Sequence, residues 1–434
     1  MSDAAGTAAV VAPAGARFAP LRRYGVWLAA VLLVIGLPLF ARSGSALTML
    51  SLMGIMIIFA LSYNMLLGQT GMLSFGHAVY YGLGAFFVVH AMNAIIRAKY
   101  PVPLPALPLV GGIAGLTFAI IFGSVSTRRG GTAFAMISLG LAELVASSSL
   151  ILRSFFGGEE GITTNRTRLY RLFDWNFGAQ IQVYYLIAAW CIVCMVAMYA
   201  ITRTPFGRMC NAVRENPERV EFIGYSPTMV RFIAFCLSGF FAGIAGGLAA
   251  INFEIVNASY VGVQQSGAVL LAAYIGGIGH FIGPVLGAIL VTYLQVMLSD
   301  VTEIWQLYFG LMFIAVVMFA PGGLAGLLMM HAPLLRARTL HRLAGPYALL
   351  SGAVLIAAIG LILLIELTYH LMAKAADGSA MRMFAVTFDA ASPPPWIVAT
   401  VLVAGGALLA RLTWPVVTQA WNDAAAVARA GGTP

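Results

Sequence analysis

Charge is scarce in this chain. Asp, Glu, Lys and Arg make up 9% of its 434 residues against 61% hydrophobic residues, where a soluble domain averages about 25% charged. So little charge cannot solvate soluble domains of that length. The mean hydropathy of +0.93 comes from long apolar runs along almost the whole sequence, which define an all-α, polytopic integral membrane protein. The net charge of +9 does not make a nucleic-acid surface. Its 24 Lys and Arg are scattered between apolar runs and read as orientation in a lipid bilayer.

Cysteine and catalytic motifs are scarce too. Of the four cysteines, Cys191 and Cys194 form C-x-x-C, but inside the apolar "WCIVCMVAMY"; with Cys210 and Cys236 they read as small core residues, not a redox or metal pair. There is no G-x-x-x-x-G-K-[ST], no H-E-x-x-H, no intramembrane Asp pair and no G-x-S-x-G. The chain is therefore not the ATPase of any ATP-driven system, no enzyme is expected, and no cofactor or metal is called for.

A bilayer crossing needs about 20 apolar residues. Candidate crossings are 24–41, 46–67, 72–96, 107–126, 132–152, 181–201, 230–252, 304–329, 347–366 and 396–413. Between 253 and 303 the run is too long for one helix and is interrupted by "GGIGHFIGP", so it reads as two short helices, 264–279 and 283–299, with His280 in the turn. Twelve crossings put both termini on one side. That side holds loops 68–71, 127–131, 202–229, 280–282 and 330–346 and 15 of the 24 Lys and Arg, the bias expected of a cytoplasmic face. Residues 1–23, rich in Ala, Gly and Pro, read as a disordered tail, followed by a core over 24–330 and an extension over 331–434.

The densest polar passage is "RTPFGRMCNAVRENPERVEFIGYSP", Arg203–Pro227. Pro205 opens a short helix with Phe206, Met209, Cys210 and Val213 on one stripe. Asn216-Pro217-Glu218 starts a second helix by N-cap, N1 proline and first-turn acid. Gly224 closes it, and Ser226-Pro227 opens the next crossing. A connection of nearly 30 ordered residues suggests docking; a loop lying on the lipid surface is the alternative.

Inside the membrane, Glu143 stands as an acid deep in a crossing. Its insertion cost of about 2.5–3.5 kcal/mol predicts that it faces the bundle interior or water, whether as a pathway group or as a paired structural one. The break Gly68-Gln69-Thr70-Gly71, with Asn64 before it and Ser74 and His77 beyond, predicts non-helical backbone against protein or a cavity. Close packing through Gly76, Gly82 and Gly84 is the competing reading, with His77 a polar residue at a helix start.

"TPFGRMCNAVRENPERVEFIGYSPTMVRFIAFCLSGFFAGIAGGL" resembles the coupling-loop region of ATP-binding-cassette importer permeases, of the LivM-type branched-chain amino acid family. "SYNMLLGQTGMLSFGHAVYYGLGAF", "AFAMISLGLAELV" with "FGGEEGIT", and "YIGGIGHFIGPVLGA" resemble the same family, in order, over about residues 45–330. The resemblance implies a bacterial inner-membrane subunit forming half of a translocation pathway. Its implied partners are two cytoplasmic ATP-binding-cassette ATPases, a second permease subunit and a periplasmic binding protein. It also implies ATPase contact by Arg208, Arg214, Glu215, Asn216 and Glu221; the glycine break and the intramembrane acid make Asn64, Gln69, Thr70, Ser74, His77 and Glu143 the pathway candidates. Relatives move branched-chain amino acids, urea and other small solutes. An ion-coupled transporter is the alternative function, although Glu143 stands nearly alone as a titratable group. A structural scaffold would leave the glycine breaks unexplained. The family's chain ends near "MFAPGGLAGL"; here about 100 residues follow, read as two more crossings around an outer loop with Lys374, Asp377, Arg382 and Asp389.

Overall fold

The computed structural model describes residues 19–40, 43–170, 175–337, 339–373, 378–383 and 386–430. The helices of the first compact unit, residues 1–326, are α1 (Ala19–Phe40), α2 (Gly44–Thr70), α3 (Ala78–Ala98), α4 (Leu107–Ser126), α5 (Thr132–Ile151), α6 (Arg153–Phe156), α7 (Gln180–Arg203), α8 (Pro205–Glu215), α9 (Pro217–Phe222), α10 (Pro227–Phe253), α11 (Val263–Gly276), α12 (Gly283–Ser299) and α13 (Trp305–Phe319). A two-residue ladder pairs β1 (Ile162–Thr163) antiparallel with β2 (Ile255–Val256). Next comes α14 (Gly323–Arg336). The second unit, residues 327–434, holds α15 (His341–Ala373), a hairpin of β3 (Ala380–Met383) and β4 (Val386–Asp389), and α16 (Pro393–Ala430).

Among the described residues, eight helices are long and apolar enough to cross a membrane, or nine if the bent pair α13–α14 is one span. The expected single crossing at 304–329 is thus two helices, bent by 40° at a break before Gly323. The pair α11 and α12 replaces one long helix, as the glycine break predicts. With 14 and 17 residues they rise only about 21 and 26 Å. Helix α1 begins at Ala19, inside the tail expected to be disordered; the rest of that tail, residues 1–18, lies outside the described residues, as do Lys374 and Asp377.

The first unit is built around α10. Its apolar span is 78% buried, the highest share among the long helices, because it passes between α2, α3 and α4 on a row of glycines. A Cβ at Gly243 would strike the Gly111 carbonyl, one at Gly246 the Tyr81 carbonyl, and one at Gly239 the side chain of Ala119. Hydrocarbon offers helices no hydrophobic drive to associate, so such close backbone contact supplies the packing. Cys191 and Cys194 are buried and free on α7.

The connections gather at two ends. At one end Arg214 donates to the carbonyl of Gly68, Gly130 lies against Arg231, and Gly277 lies against Gly322 and Gly323. Tyr199 stacks edge-on with Phe281 there, 5.2 Å between centroids. At the other end β1 pairs with β2, Pro103 bridges to Tyr170, and His90 bonds the Phe155 carbonyl at 2.7 Å. The ends of α2, α4, α7 and α11 therefore lie together at one end of this unit.

In the second unit α15 and α16 pack through small residues, Gly360 against Ala399 and Gly406 against Ala357. Their apolar windows are only 17% and 11% buried, leaving most of both helices to lipid or a partner. The β-hairpin was not expected within this all-α reading. Phe388 and Met381 cover Leu363 and Leu367, and Trp396 Nε1 donates to the Ala390 carbonyl at 2.9 Å. Helix α15 runs to Ala373, so Glu366, taken as the edge of a crossing, lies inside the helix.

Candidate functional site

The loop between α7 and α10 is two capped helices, as its sequence dictates. Thr204 caps α8 through Gly207 N–H, Asn216 caps α9 through Arg219 N–H at 2.9 Å, and Ser226 caps α10 through Met229 N–H at 3.3 Å. Gly224 follows α9 at φ +87. Cys210, Val213 and Val220 are buried with Val230 and Ala234 of α10, with Phe206 and Met209 packed against them. Burial pushes the Cys210 thiol up to about 12, so it is a neutral packing group. Replacing Asn216 with Ala should cost about 1 kcal/mol of local stability, read as faster amide exchange across residues 216–222; exchange equal to wild type would show the cap is idle.

Arg208, Arg214, Glu215, Asn216 and Glu221 are all exposed. Arg214 differs from the others. Its guanidinium donates to the Gly68 carbonyl, and its aliphatic stem lies over Gly71. A cation at the last turn of α2 meets carbonyls that have no helical partner and the negative end of the helix dipole. The loop is thereby fastened to a membrane helix.

The break expected at 68–71 begins later. Helix α2 continues through Gln69 and Thr70, and Gly71 ends it at φ +70. Residues 71–77 are the non-helical stretch, and the expected crossing at 72–96 becomes α3, starting at Ala78. This stretch turns back into the bundle. His77 Nε2 bonds Ser62 Oγ at 2.9 Å, and Ser62 lies eight residues, about 12 Å, before the end of α2. Phe59 stacks on the imidazole at 5.4 Å and Tyr63 meets it edge-on at 5.3 Å. Tyr63 OH donates to the Ser74 carbonyl at 3.1 Å, and Ser238 Oγ to the Ser62 carbonyl at 2.6 Å. Irregular backbone inside a membrane needs such partners.

The pathway candidates therefore separate. Ser74 and His77 belong to this buried cluster, although His77 Nδ1 has no partner. Thr70 bonds back to the Leu66 carbonyl at 2.7 Å. Asn64 and Gln69 lie nearer the loop end, each with a buried oxygen that lacks a partner; Asn64 lies against Gly68. Glu143 is exposed on α5 rather than turned into its own bundle, so of the two expected surroundings the interior of this bundle is not the one it has. Only 33% of the α5 window is buried, and the buried stripe runs through Phe134, Ser138, Ala142, Val145 and Ser149. Position 143 falls beside that stripe, not on it.

Two adjoining cavities lie in the half of the first unit remote from the loop. One, of about 290 Å³, has α2, α11 and α12 as walls; the other, of about 410 Å³, shares Ala268 and Gln295 with it. Thr292, Gln265 and Tyr260 line the first and were not singled out in the sequence. Their segments are far apart in the chain, and uncharged polar residues carry no motif.

A bundle of apolar helices with broken half-length members, and a capped polar loop fastened to one of them, is the architecture of a membrane transport permease. The family profile described as branched-chain amino acid transport system, permease component, matches residues 45–321, and the chain belongs to that family. It is similar to the high-affinity branched-chain amino acid transport system permease protein LivM of Salmonella typhimurium, 26% identical over 68% of this chain and 73% of that protein. It is also similar to permease BraD of Pseudomonas aeruginosa, 22% identical over 62% of this chain and 91% of the relative. A third relative is the probable permease LivH of Methanocaldococcus jannaschii, 23% identical over 63% and 89%. No solved structure matches significantly.

Proposed function

We propose that the chain is the membrane-spanning subunit of an ATP-driven importer for branched-chain or related amino acids, in the bacterial inner membrane. It forms half of the pathway with a second, related permease and receives solute from a periplasmic binding protein. Twelve crossings with both termini cytoplasmic accommodate the arrangement of the connections, with the α8–α9 loop on the cytoplasmic side.

The observation that carries this reading is the loop itself: ordered, charged on its exposed face, and joined to α2 through Arg214. Two cytoplasmic ATPases hydrolyse ATP; α8 and α9 receive their closure, and Arg214 hands it to the last turn of α2 and the stretch leading to His77. Arg208, Glu215 and Glu221 make the contact, since their side chains are exposed. Arg214 and Asn216 have work inside the chain and hold the contact surface in shape.

Co-purification with the two ATPases tests this. Reversing Arg208 and Glu221 together should lower ATPase capture by about tenfold, through charges that steer and orient docking. Arg214→Ala should keep capture but lose most ATP-driven uptake in proteoliposomes. Equal capture of no ATPase by wild type and variants alike would sink the importer reading.

A further inference from the structure

The broken pair α11–α12 is one body. Near their junction the two helices meet main chain to main chain: a Cβ at Gly276 would strike the Gly283 carbonyl, and one at Gly287 the Ala272 carbonyl. No side chain can yield at such a contact, so neither helix shifts without the other. The tip of this body, residues 277–282, is held where the α8–α9 loop joins the bundle. The Ile278 carbonyl lies against Gly68, whose own carbonyl takes the Arg214 guanidinium. Phe281 meets Tyr199 edge-on at 5.2 Å, and the Tyr199 hydroxyl accepts from Arg203, the last residue of α7, at 2.7 Å. Gly277, at φ +103, lies against Gly322 and Gly323 at the start of α14.

The other half of the pair has open space on two sides. The cavity of about 290 Å³ parts it from Leu52, Ile55 and Met56 of α2, and the cavity of about 410 Å³ from Trp305 and Phe309 of α13; Ala268 and Gln295 line both. Protein interiors are close-packed and hold few voids larger than a water molecule, so two adjoining cavities around one element leave it unbraced. On a third side the start of α11 is tied to α3. Val261 lies against Gly82, and Ser266 Oγ accepts from the Ala78 N–H at 3.0 Å. Ala78 opens α3 directly after His77. The pair is thus held at its tip, tied at Ser266 and unsupported toward α2 and α13.

Resting on the importer reading, we infer that α11–α12 is a rocking arm driven from its tip. Closure of the ATPases, received by the α8–α9 loop, displaces the tip through its contacts with Gly68 and Tyr199. The arm turns about the Ser266 bond, and its remote half narrows one cavity as it widens the other. Ile278 and Phe281 are positioning residues in this device: they pass the displacement of the loop to the arm. A small shift at one end becomes a large one at the other because a stiff body with space beside it moves between seats rather than deforming. The arm is a second receiver of the closure, beside the last turn of α2. It also gives the breaks at 277–282 and before Gly323 a purpose, since half-length helices can turn where a full crossing would have to bend.

The test uses the full chain with its second permease, ATPases and binding protein. Spin labels at Leu109→Cys on α4 and Ser299→Cys on α12, both exposed, report the distance across the remote end in nanodiscs. The four native cysteines are buried and stay unlabelled, which the chain without introduced cysteines checks. Trapping with ATP and vanadate should shift that distance by roughly 2 Å or more, the size of helix displacements at moving interfaces. Phe281→Ala should abolish the shift and most ATP-driven uptake while ATPase capture persists; Phe281→Tyr, which keeps the ring, should retain both. Ala268→Leu, placed where the cavities meet, should lower uptake in proteoliposomes by about tenfold or more by arresting the arm. Its melting temperature should hold or rise, since it fills space rather than a packed core. A shift that survives Phe281→Ala overturns the assignment to the tip. An unchanged distance in an assembly that transports, or wild-type uptake by Ala268→Leu, overturns the arm and leaves the importer standing. Absence of ATP-driven uptake of any amino acid by the wild-type assembly overturns the importer reading and the arm together.

Discussion

Gly243→Val will remove the folded first unit from detergent extracts, giving a protein that aggregates or melts far below wild type. A Cβ at this position strikes the Gly111 carbonyl and crowds the Gly115 Cα, and Gly84 and Gly111 in turn approach the Gly243 carbonyl. Those contacts are backbone on backbone, so no rotamer change relieves them. Overpacking a core with flexible neighbours costs about 1–3 kcal/mol; here three helices must separate, and the cost should exceed about 4 kcal/mol, among the largest effects of single substitutions. The control is Gly310→Ala on α13, where an added Cβ meets nothing within 4 Å and which should melt at or above the wild-type temperature, since Ala favours helix by up to about 1 kcal/mol. Thermal melts followed by size-exclusion chromatography compare the two. Melting of Gly243→Val within a degree or two of wild type would show that α10 is not held by this contact.

What the sequence made legible was local. The proline that opens α8, the caps at Asn216 and Ser226, the glycine after α9 and the stripe through Val213 are fixed by short stretches of chain, and all stand where their patterns put them. The break expected at 280–282 was legible for the same reason, because glycine and proline punctuate helices directly, although α11 already ends at Gly276. Long-range geometry was not. Gly68 stays inside α2, which ends at Gly71, and the carbonyl of Ile278 from a distant segment lies against it, a contact no single stretch reveals. Energetics placed Glu143 in the bundle interior or in water, without deciding between them. Helix α5 is apolar on nearly every side, so periodicity could not say which face its own bundle would cover.

The same limit hid the role of Arg214. As a charge in a polar loop it looked like every other surface arginine nearby, and only its position beside Gly71 singles it out. The cavity residues were further from reach still: Ile55, Tyr260, Gln265 and Thr292 come from four segments and have no spacing in common. The comparisons sharpen the family and leave this geometry untouched, since relatives near a quarter identity fix an architecture rather than a lining.

Arg166→Met should loosen the end of the first unit remote from the α8–α9 loop by about 3–5 kcal/mol, the cost of removing one partner from a buried charged network. The residue is 8% exposed on the turn after β1. Its Nε donates to the Phe177 carbonyl at 2.8 Å, its Nη1 to the carbonyls of Ile251 at 3.1 Å and Asn252 at 2.9 Å, and its Nη2 to Gln180 Oε1 at 3.3 Å. Two of those carbonyls close α10, where a cation also meets the negative end of the dipole. Burial pushes the guanidinium below its ordinary value and Glu254 pulls it back up, but an arginine stays charged throughout. Glu254 itself ends α10 in the left-handed region at φ +58, a strained position for a residue with a side chain. Its carboxylate is held there by the Arg166 N–H at 2.7 Å, and its carbonyl by the Thr164 N–H at 2.9 Å. Loss of the arginine side chain therefore leaves four acceptors without this donor and removes the positive charge beside Glu254, while the backbone N–H groups still hold the turn. Arg166→Lys should recover less than half of the loss, because an ammonium cannot reach the same spread of carbonyls as a planar fork. Amide exchange across residues 157–170 and 251–257 should rise together in Arg166→Met, and less in the lysine variant. Protection equal to wild type in the methionine variant would mean that the β1–β2 ladder alone holds this end closed.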